Sequence, residues 1–252
     1  MARVDALWRY PVKGLSAEPL EAVDLSPGEG LPLDRAFALA LSSTRFDPAA
    51  PEFLPKPNFL MLMRDEKLAS LATRYDSETA SLEILRGGRR VARGRLDQPA
   101  GRAVIEQFFA AFAGAAARGT PRVVQAPGHV FMDVPGKTVT LINAASVADL
   151  GRVVGRPVDP LRFRANIMVE GLAPWAEKTW IGREIRLGPV RARVTGQVDR
   201  CAATNVEPGT GARDMTLPRT LEAAFGGNVF GVYLEIVAGG RLAVGDALDP
   251  GT

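Results

Sequence analysis

The sequence predicts a mainly β protein of the α+β class, with a barrel-like β core and a few peripheral helices. Three observations carry this prediction. Short apolar or alternating segments recur along all 252 residues. Turns rich in the 26 glycines and 19 prolines separate them, which favours short strands over long helices. Only three segments carry apolar residues at helical spacing. The order of these segments does not fit a βαβ alternation, so a barrel-like sheet is expected instead.

Taken in order, Val4 to Tyr10 alternates weakly and carries Trp8 and Tyr10, as strands do. Pro11 to Gly14 turns the chain. Leu20 to Leu25 and Ala36 to Leu41 read as strands, with a Pro/Gly loop from Ser26 to Pro32 between them. Asp47 to Pro57 holds Pro48, Pro51, Pro55 and Pro57 and must be irregular. Phe59 to Met63 and Leu82 to Leu85 are further short strands. Gly101 to Ala117 is the clearest helix, with Val104, Ile105, Phe108, Phe109 and Phe112 on one face. Gly119 and Pro121 end it and mark a domain boundary, giving units 1–118 and 119–252. A strand at Val139 to Ile142 leads into a helix from Ala145 to Val154, capped by Asn143 or Ser146 and stopped by Gly155 and Pro157. Ile167 to Val169, Glu184 to Leu187 and Val190 to Thr195 read as strands. A third helix starts at Pro218, presents Leu217, Leu221 and Phe225, and ends at Gly226. Phe230 to Val237 and Leu242 to Val244 close the chain around Gly239-Gly240.

Composition narrows the function. Lys and Arg exceed Asp and Glu by 31 to 28, and no Lys/Arg block forms a nucleic-acid surface. Dispersed arginines suit small anionic ligands at least as well. One cysteine and one histidine exclude an internal disulfide, a CxxC metal site and a His-rich cluster. No apolar run is long enough to span a membrane, and the N-terminus has no signal-peptide core, so a cytoplasmic location is expected. P-loop, GxGxxG, GxSxG and HExxH motifs are absent.

Three groups of residues stand out. Cys201 lies in Asp199-Arg200-Cys201-Ala202-Ala203-Thr204-Asn205, after a strand and before a Gly/Pro-rich loop. Arg200 favours its thiolate form, and the competing reading is a buried small apolar residue. Arg162-Phe163-Arg164-Ala165-Asn166, if extended, places Arg162, Arg164 and Asn166 on one face. That face is either a phosphate clamp of two planar guanidiniums and an amide or a solvated strand surface. Tyr10-Pro11-Val12-Lys13-Gly14 and Asp34-Arg35 each put one cation at a strand end. His129 and Asp133 share a loop ahead of Val139. There His129 is either a proton donor over a ligand or an exposed loop residue. A Cys201–His129 hydrolase pair is a chance combination of single residues.

This ordered set resembles the MOSC family, named for the C-terminal domain of molybdenum cofactor sulfurases. Tyr10 to Lys13 and Asp34-Arg35 resemble the N-terminal β-barrel domain that precedes MOSC in many members. Arg162 to Ile167, Trp180-Ile181-Gly182, Arg200-Cys201, Val206-Glu207-Pro208, Thr210-Gly211 and Gly245-Asp246 resemble MOSC itself. The resemblance implies a MOSC-type β-barrel behind a smaller N-terminal β-rich domain, and a molybdopterin-type cofactor. In relatives known as amidoxime-reducing components, the cysteine matching Cys201 ligates molybdenum, a soft ligand suited to that metal. Lys13, Arg35, Arg162 and Arg164 would hold the pterin phosphate with help from Asn166, and Arg200 and Thr204 would lie beside the cofactor. Relatives often carry Ser where Gly14 stands, so only the Gly14 backbone N–H can serve there. They often read Thr-Thr-Val-Asp-Pro where this chain has Thr204-Asn205-Val206-Glu207-Pro208, so Asn205 alters the substrate side of the metal.

The implied activity is reduction of a small N-hydroxylated or N-oxide substrate, with electrons from a separate ferredoxin- or cytochrome-type donor. No sulfurase domain is present in this sequence, so pyridoxal phosphate chemistry is not expected. Two alternatives remain open. The chain is a cofactor carrier or a sulfur-transfer module with a Cys201 persulfide, or it keeps the fold and binds no metal.

Overall fold

The computed structural model describes residues 1–251. Strand outweighs helix, at 33% against 24%, as the sequence predicts. The strands are β1 (Arg3–Arg9), β2 (Glu18–Leu20), β3 (Ala22–Leu25), β4 (Ala38–Ala40), β5 (Leu71–Asp76), β6 (Ser81–Arg86), β7 (Arg89–Arg95), β8 (Arg122–Val124), β9 (Val139–Asn143), β10 (Ile167–Glu170), β11 (Glu184–Leu187), β12 (Val190–Asp199), β13 (Val229–Ala238), β14 (Gly240–Ala243) and β15 (Leu248–Asp249). The helices are α1 (Pro99–Ala113), α2 (Ala144–Val154) and α3 (Leu217–Phe225). Among the described residues no helix is long and apolar enough to cross a membrane.

Eight strands form one sheet in the order β15-β11-β12-β13-β9-β10-β1-β2. Its core face follows the period of two. Val190, Ala192 and Val194 of β12 are buried, whereas Arg191, Arg193 and Thr195 face water. Those inward residues meet Val4, Leu7, Leu141, Ile167 and Leu234 in the largest hydrophobic cluster. The strand order runs from β15 to β2, and no continuous ladder closes it into the expected barrel. β15 and the residues before it bond to the start of β1, with Val4 N–H donating to Asp246 O at 2.8 Å, Gly245 N–H to Val4 O at 2.9 Å and Leu248 N–H to Ala2 O at 2.9 Å. One βαβ unit is also present, against expectation. The strand β9 passes through α2 to β10, and the two strands pair in parallel, Leu141 beside Ile167. The 5-residue β9 is buried at every position, so it lacks the alternation that marks a strand.

The second cluster packs α1 onto the sheet β5-β6-β7. Ile105 and Phe109 are fully buried there, and Val104 turns to solvent at 46% exposure, so the apolar face is narrower than the sequence implies. The start of α1 rests directly on β7. A Cβ at Gly94 would sit 2.2 Å from Gly101 O, so only glycine permits the approach. Phe59 to Met63 forms no strand and makes only a single bridge, Phe59 to Ala40. The Asn143 side chain caps α2, accepting from Ala145 N–H at 3.0 Å. Ser146 is instead turned to the buried Glu177 carboxylate at 2.8 Å.

Candidate functional site

A cavity of about 310 Å³ opens where the turn after β1, the turn after β12 and the segment before β10 meet. Each segment is held by local backbone geometry. Lys13 N–H donates to Phe37 O at 2.8 Å and Arg35 N–H to Tyr10 O at 2.7 Å, so residues 10–13 and 35–37 run together. That pairing delivers Lys13 and Arg35 to one wall of the cavity. Asp159 caps a 3-10 turn at Pro160–Phe163, accepting from Leu161 N–H at 2.8 Å, and Arg164 follows with a left-handed φ of 51°. β12 ends at Asp199, and a second 3-10 turn, Ala202–Asn205, folds the chain under Cys201. The Cys201 carbonyl accepts from both Thr204 N–H (3.1 Å) and Thr204 Oγ1 (3.0 Å). Cys201 itself is half-buried and lines the cavity.

Lys13, Gly14, Arg35, Arg162, Arg164, Arg200, Cys201 and Thr204 all line this one cavity. Asn166 does not. It is wholly buried, its Oδ1 accepting from Thr140 N–H (3.1 Å) and Thr140 Oγ1 (2.9 Å), and its Nδ2 donating to Trp8 O (3.3 Å). The extended-strand argument for a shared face is therefore corrected. Arg162 and Arg164 reach the cavity from a 3-10 turn and a left-handed residue, and β10 begins only at Ile167. Asn205 is also corrected. Its side chain accepts from Leu217 N–H at 2.9 Å at the start of α3 and is absent from the cavity wall. His129 packs at 4.9 Å against the Phe131 ring and 5.7 Å from Phe46, away from the cavity lining, so the proton-donor reading has no support. Burial there pushes its pKa down. Because Asn205 acts as a cap, Asn205→Ala should cost about 0.5–2 kcal/mol of stability. Urea unfolding should detect this, while any ligand bound in the cavity is retained.

The cavity is strongly cationic. Lys13, Arg35, Lys56, Arg162, Arg164 and Arg200 line it, against Asp133 and Asp199. Three of these cations have carboxylate partners. Lys13 pairs with Asp133, Arg35 with the buried Asp34, and Arg162 with Asp214 at 2.8 Å. Burial lowers the Lys13 pKa, opposed by Asp133. Among the described residues, Arg164 and Arg200 have no carboxylate in hydrogen-bond reach. Arg164 Nη1 donates to Leu15 O at 2.6 Å, and Arg200 braces the Cys201 turn on the carbonyls of Phe163 (2.7 Å) and Phe230 (2.9 Å). Burial lowers both pKa values to about 10, so both stay charged at neutral pH. The Tyr10 ring lies against the Arg164 guanidinium at 4.3 Å and that of Arg35 at 4.9 Å. Arg164 Nη2 and Arg162 Nε are buried with no hydrogen-bond partner. Unpaired donors of this kind on buried cations are costly and favour an incoming anion. Sequence reasoning missed Lys56, Tyr233 and Asp214. Lys56 sits in the proline-rich stretch, and the partnership of Asp214 with Arg162 is non-local, so neither leaves a periodic signal.

Comparison with known proteins supplies the remaining finding. The MOSC domain family matches residues 128–249. A molybdenum cofactor sulfurase of Anopheles gambiae is 38% identical over 76 residues, 30% of this chain and 10% of that protein. Mitochondrial amidoxime-reducing component 1 of Mus musculus is 32% identical over 118 residues, 42% of this chain and 34% of that protein. The matched region thus spans about a tenth to a third of these relatives. The crystal structure of the YUAD protein from Bacillus subtilis aligns over 98% of this chain and 93% of its own, at 12% identity and a TM-score of 0.45. The matched region takes in β9 to β15, and with them the turns that carry Arg162, Arg164, Arg200 and Cys201. Residues 128–249 therefore carry the match to the MOSC domain family, in line with the resemblance read from the sequence.

Proposed function

We propose that the Cys201 cavity holds a molybdenum cofactor of the molybdopterin type, with Cys201 Sγ as the protein's ligand to the metal. The loaded protein then reduces N-hydroxylated or N-oxide compounds with electrons from a separate ferredoxin- or cytochrome-type donor. The observation that carries this reading is the convergence of the single cysteine and six cations on one cavity. The names of the relatives, a molybdenum cofactor sulfurase and amidoxime-reducing components, support it.

The residues present fit such a group. When bound, it supplies a two-electron metal centre suited to oxygen-atom removal. The buried donors without partners, Arg164 Nη2 and Arg162 Nε, match an incoming phosphate. Lys13 and Arg35 add charge to the same cavity, with Arg35 Nη2 donating to Arg164 O at 3.0 Å. Gly14 adopts φ of 82°, and a Cβ there would lie 3.0 Å from Leu60 O, so its backbone is available where no side chain fits. Cys201 would serve as a thiolate, a soft sulfur ligand suited to such a metal. Thr204 fixes the Cys201 carbonyl, and Arg200 fixes the strand end behind it, so the sulfur is held by two braced turns. In this reading an N-terminal β-rich domain, residues 1–118, supplies Lys13, Gly14 and Arg35. The unit 119–252 supplies the other ligands.

Turnover separates this reading from a carrier or sulfur-transfer module. Protein from a host that makes the cofactor, given excess reductant, should reduce benzamidoxime steadily, and Cys201→Ser should lose that activity. Serine offers a harder oxygen ligand, so residual metal should react differently. A protein that never turns over N-hydroxylated or N-oxide substrates, yet passes its cofactor to an apo-enzyme, is a carrier instead.

A further inference from the structure

We infer that the larger apolar cavity next to the Cys201 cavity is a second binding site, one that takes a small organic anion with an apolar body. This cavity measures about 630 Å³, twice the volume of its neighbour. It falls within the range of small-molecule sites, roughly 300–1,000 Å³. Its floor is apolar and buried at Leu15, Leu71 and Val206, and its rim is exposed at Arg74, Gly87 and Gly209. Cys201, Lys13 and Arg35 are not part of its lining. The two cavities share Gly14, Leu62, Arg162, Arg164 and Ala203, so both arginines stand in the partition between them.

The charge at that partition selects the ligand. Arg162 is balanced by Asp214, whereas Arg164 has no carboxylate partner and a buried Nη2 with no acceptor. Glu18, the only acidic residue of the lining, is already engaged. It accepts from Arg9 Nε at 2.8 Å and from Tyr75 N–H at 2.5 Å. Apolar walls ending on an uncompensated cation disfavour an organic cation. A neutral apolar molecule covers the walls but leaves the guanidinium donor unpaired. An inorganic anion satisfies the donor but leaves the leucines wet. A carboxylate on a compact hydrocarbon or aromatic body satisfies both. This inference does not rest on the cofactor reading, because Arg164 Nη2 carries two N–H donors and can serve one acceptor on each side of the partition.

Three ligands of eight carbons each test it by calorimetry on the protein as isolated from the cofactor-making host: octanoate, octanol and octylamine. Octanoate should bind at one site per chain. Octanol should bind about tenfold more weakly, the ratio expected for one lost charge-assisted hydrogen bond, and octylamine more weakly still. Ala69→Phe and Ala17→Phe fill the cavity from two sides and should each weaken octanoate binding about tenfold by removing ligand space. Octanol binding as tightly as octanoate would overturn the anion assignment. Unchanged octanoate binding in both filled variants would overturn the location. Release of pterin on adding octanoate would show that the two compete for one seat and would overturn a separate site. Should a filled variant fail to fold, the three-ligand comparison and the pterin readout still decide. A protein that carries no pterin yet binds octanoate selectively would remove the cofactor reading and leave this one standing.

Discussion

Cys201→Ala is expected to lose most of its molybdenum when made in a host that synthesises the cofactor. Cys201 is the only cysteine in the chain, so no second thiolate can replace it. Met61, Met63 and Met132 also line the cavity, but a neutral thioether is a weaker ligand than a thiolate. The loss should be specific to the metal rather than a consequence of unfolding. Cys201 is half-buried, and its structural bonds run through its backbone carbonyl to Thr204, which alanine preserves. Stability should therefore change by no more than about 1 kcal/mol. Metal analysis with a urea titration of both proteins checks the two halves of this expectation. Full molybdenum retention with an unchanged metal spectrum would place the ligand elsewhere.

Arg164→Ala should lower cofactor occupancy about tenfold or more relative to Arg118→Ala, since a charge-assisted phosphate contact contributes about 1.5–3 kcal/mol. Arg164 reaches the cavity as a buried cation, its Nη1 fixed on Leu15 O at 2.6 Å and its Nη2 without a partner. Burial lowers its pKa to about 10, which means that folding disfavours its charge when nothing binds. Removing it therefore relieves a desolvation cost even as it removes a contact, so a large drop in stability is not expected. Arg118 is exposed just beyond α1, outside the cavity lining, and serves as the matched loss of one positive charge. Pterin released per chain, measured by fluorescence after denaturation, reads the difference. Equal occupancy in the two variants would remove Arg164 from the anion site.

How much of this was legible in the sequence depends on whether the signal was local. The strands β1, β11 and β13 were legible because apolar residues stand at short-period spacing between turn residues, and β9 because a short apolar run stands ahead of a capped helix. The helix α3 was legible because Leu217, Leu221 and Phe225 share a face ahead of Gly226, whose φ of 76° ends it. By contrast, β7 reads Arg-Arg-Val-Ala-Arg-Gly-Arg, and its apolar alternation is hidden by arginines on an exposed strand. The open sheet was not legible, because closure depends on which ends meet and not on any one strand's composition. At the site, the residues that line the cavity are almost the set the sequence picks out, yet the geometry behind Arg162 and Arg164 differs. A capped 3-10 turn does what an extended strand was expected to do, and Asn166 holds β9 to β1 instead of facing a ligand. Asp159 followed by Pro160 is the local signal for that turn: an Asp cap followed by a proline at the first helical position.

The central claim is that the Cys201 cavity is the seat of a molybdenum cofactor. Molybdenum and pterin content of the wild-type protein, purified from a host whose own molybdoenzymes are fully loaded, tests this most directly. The account predicts stoichiometric molybdenum with a releasable pterin phosphate. Protein that emerges folded, with an intact Cys201 and only trace molybdenum and pterin, would contradict it.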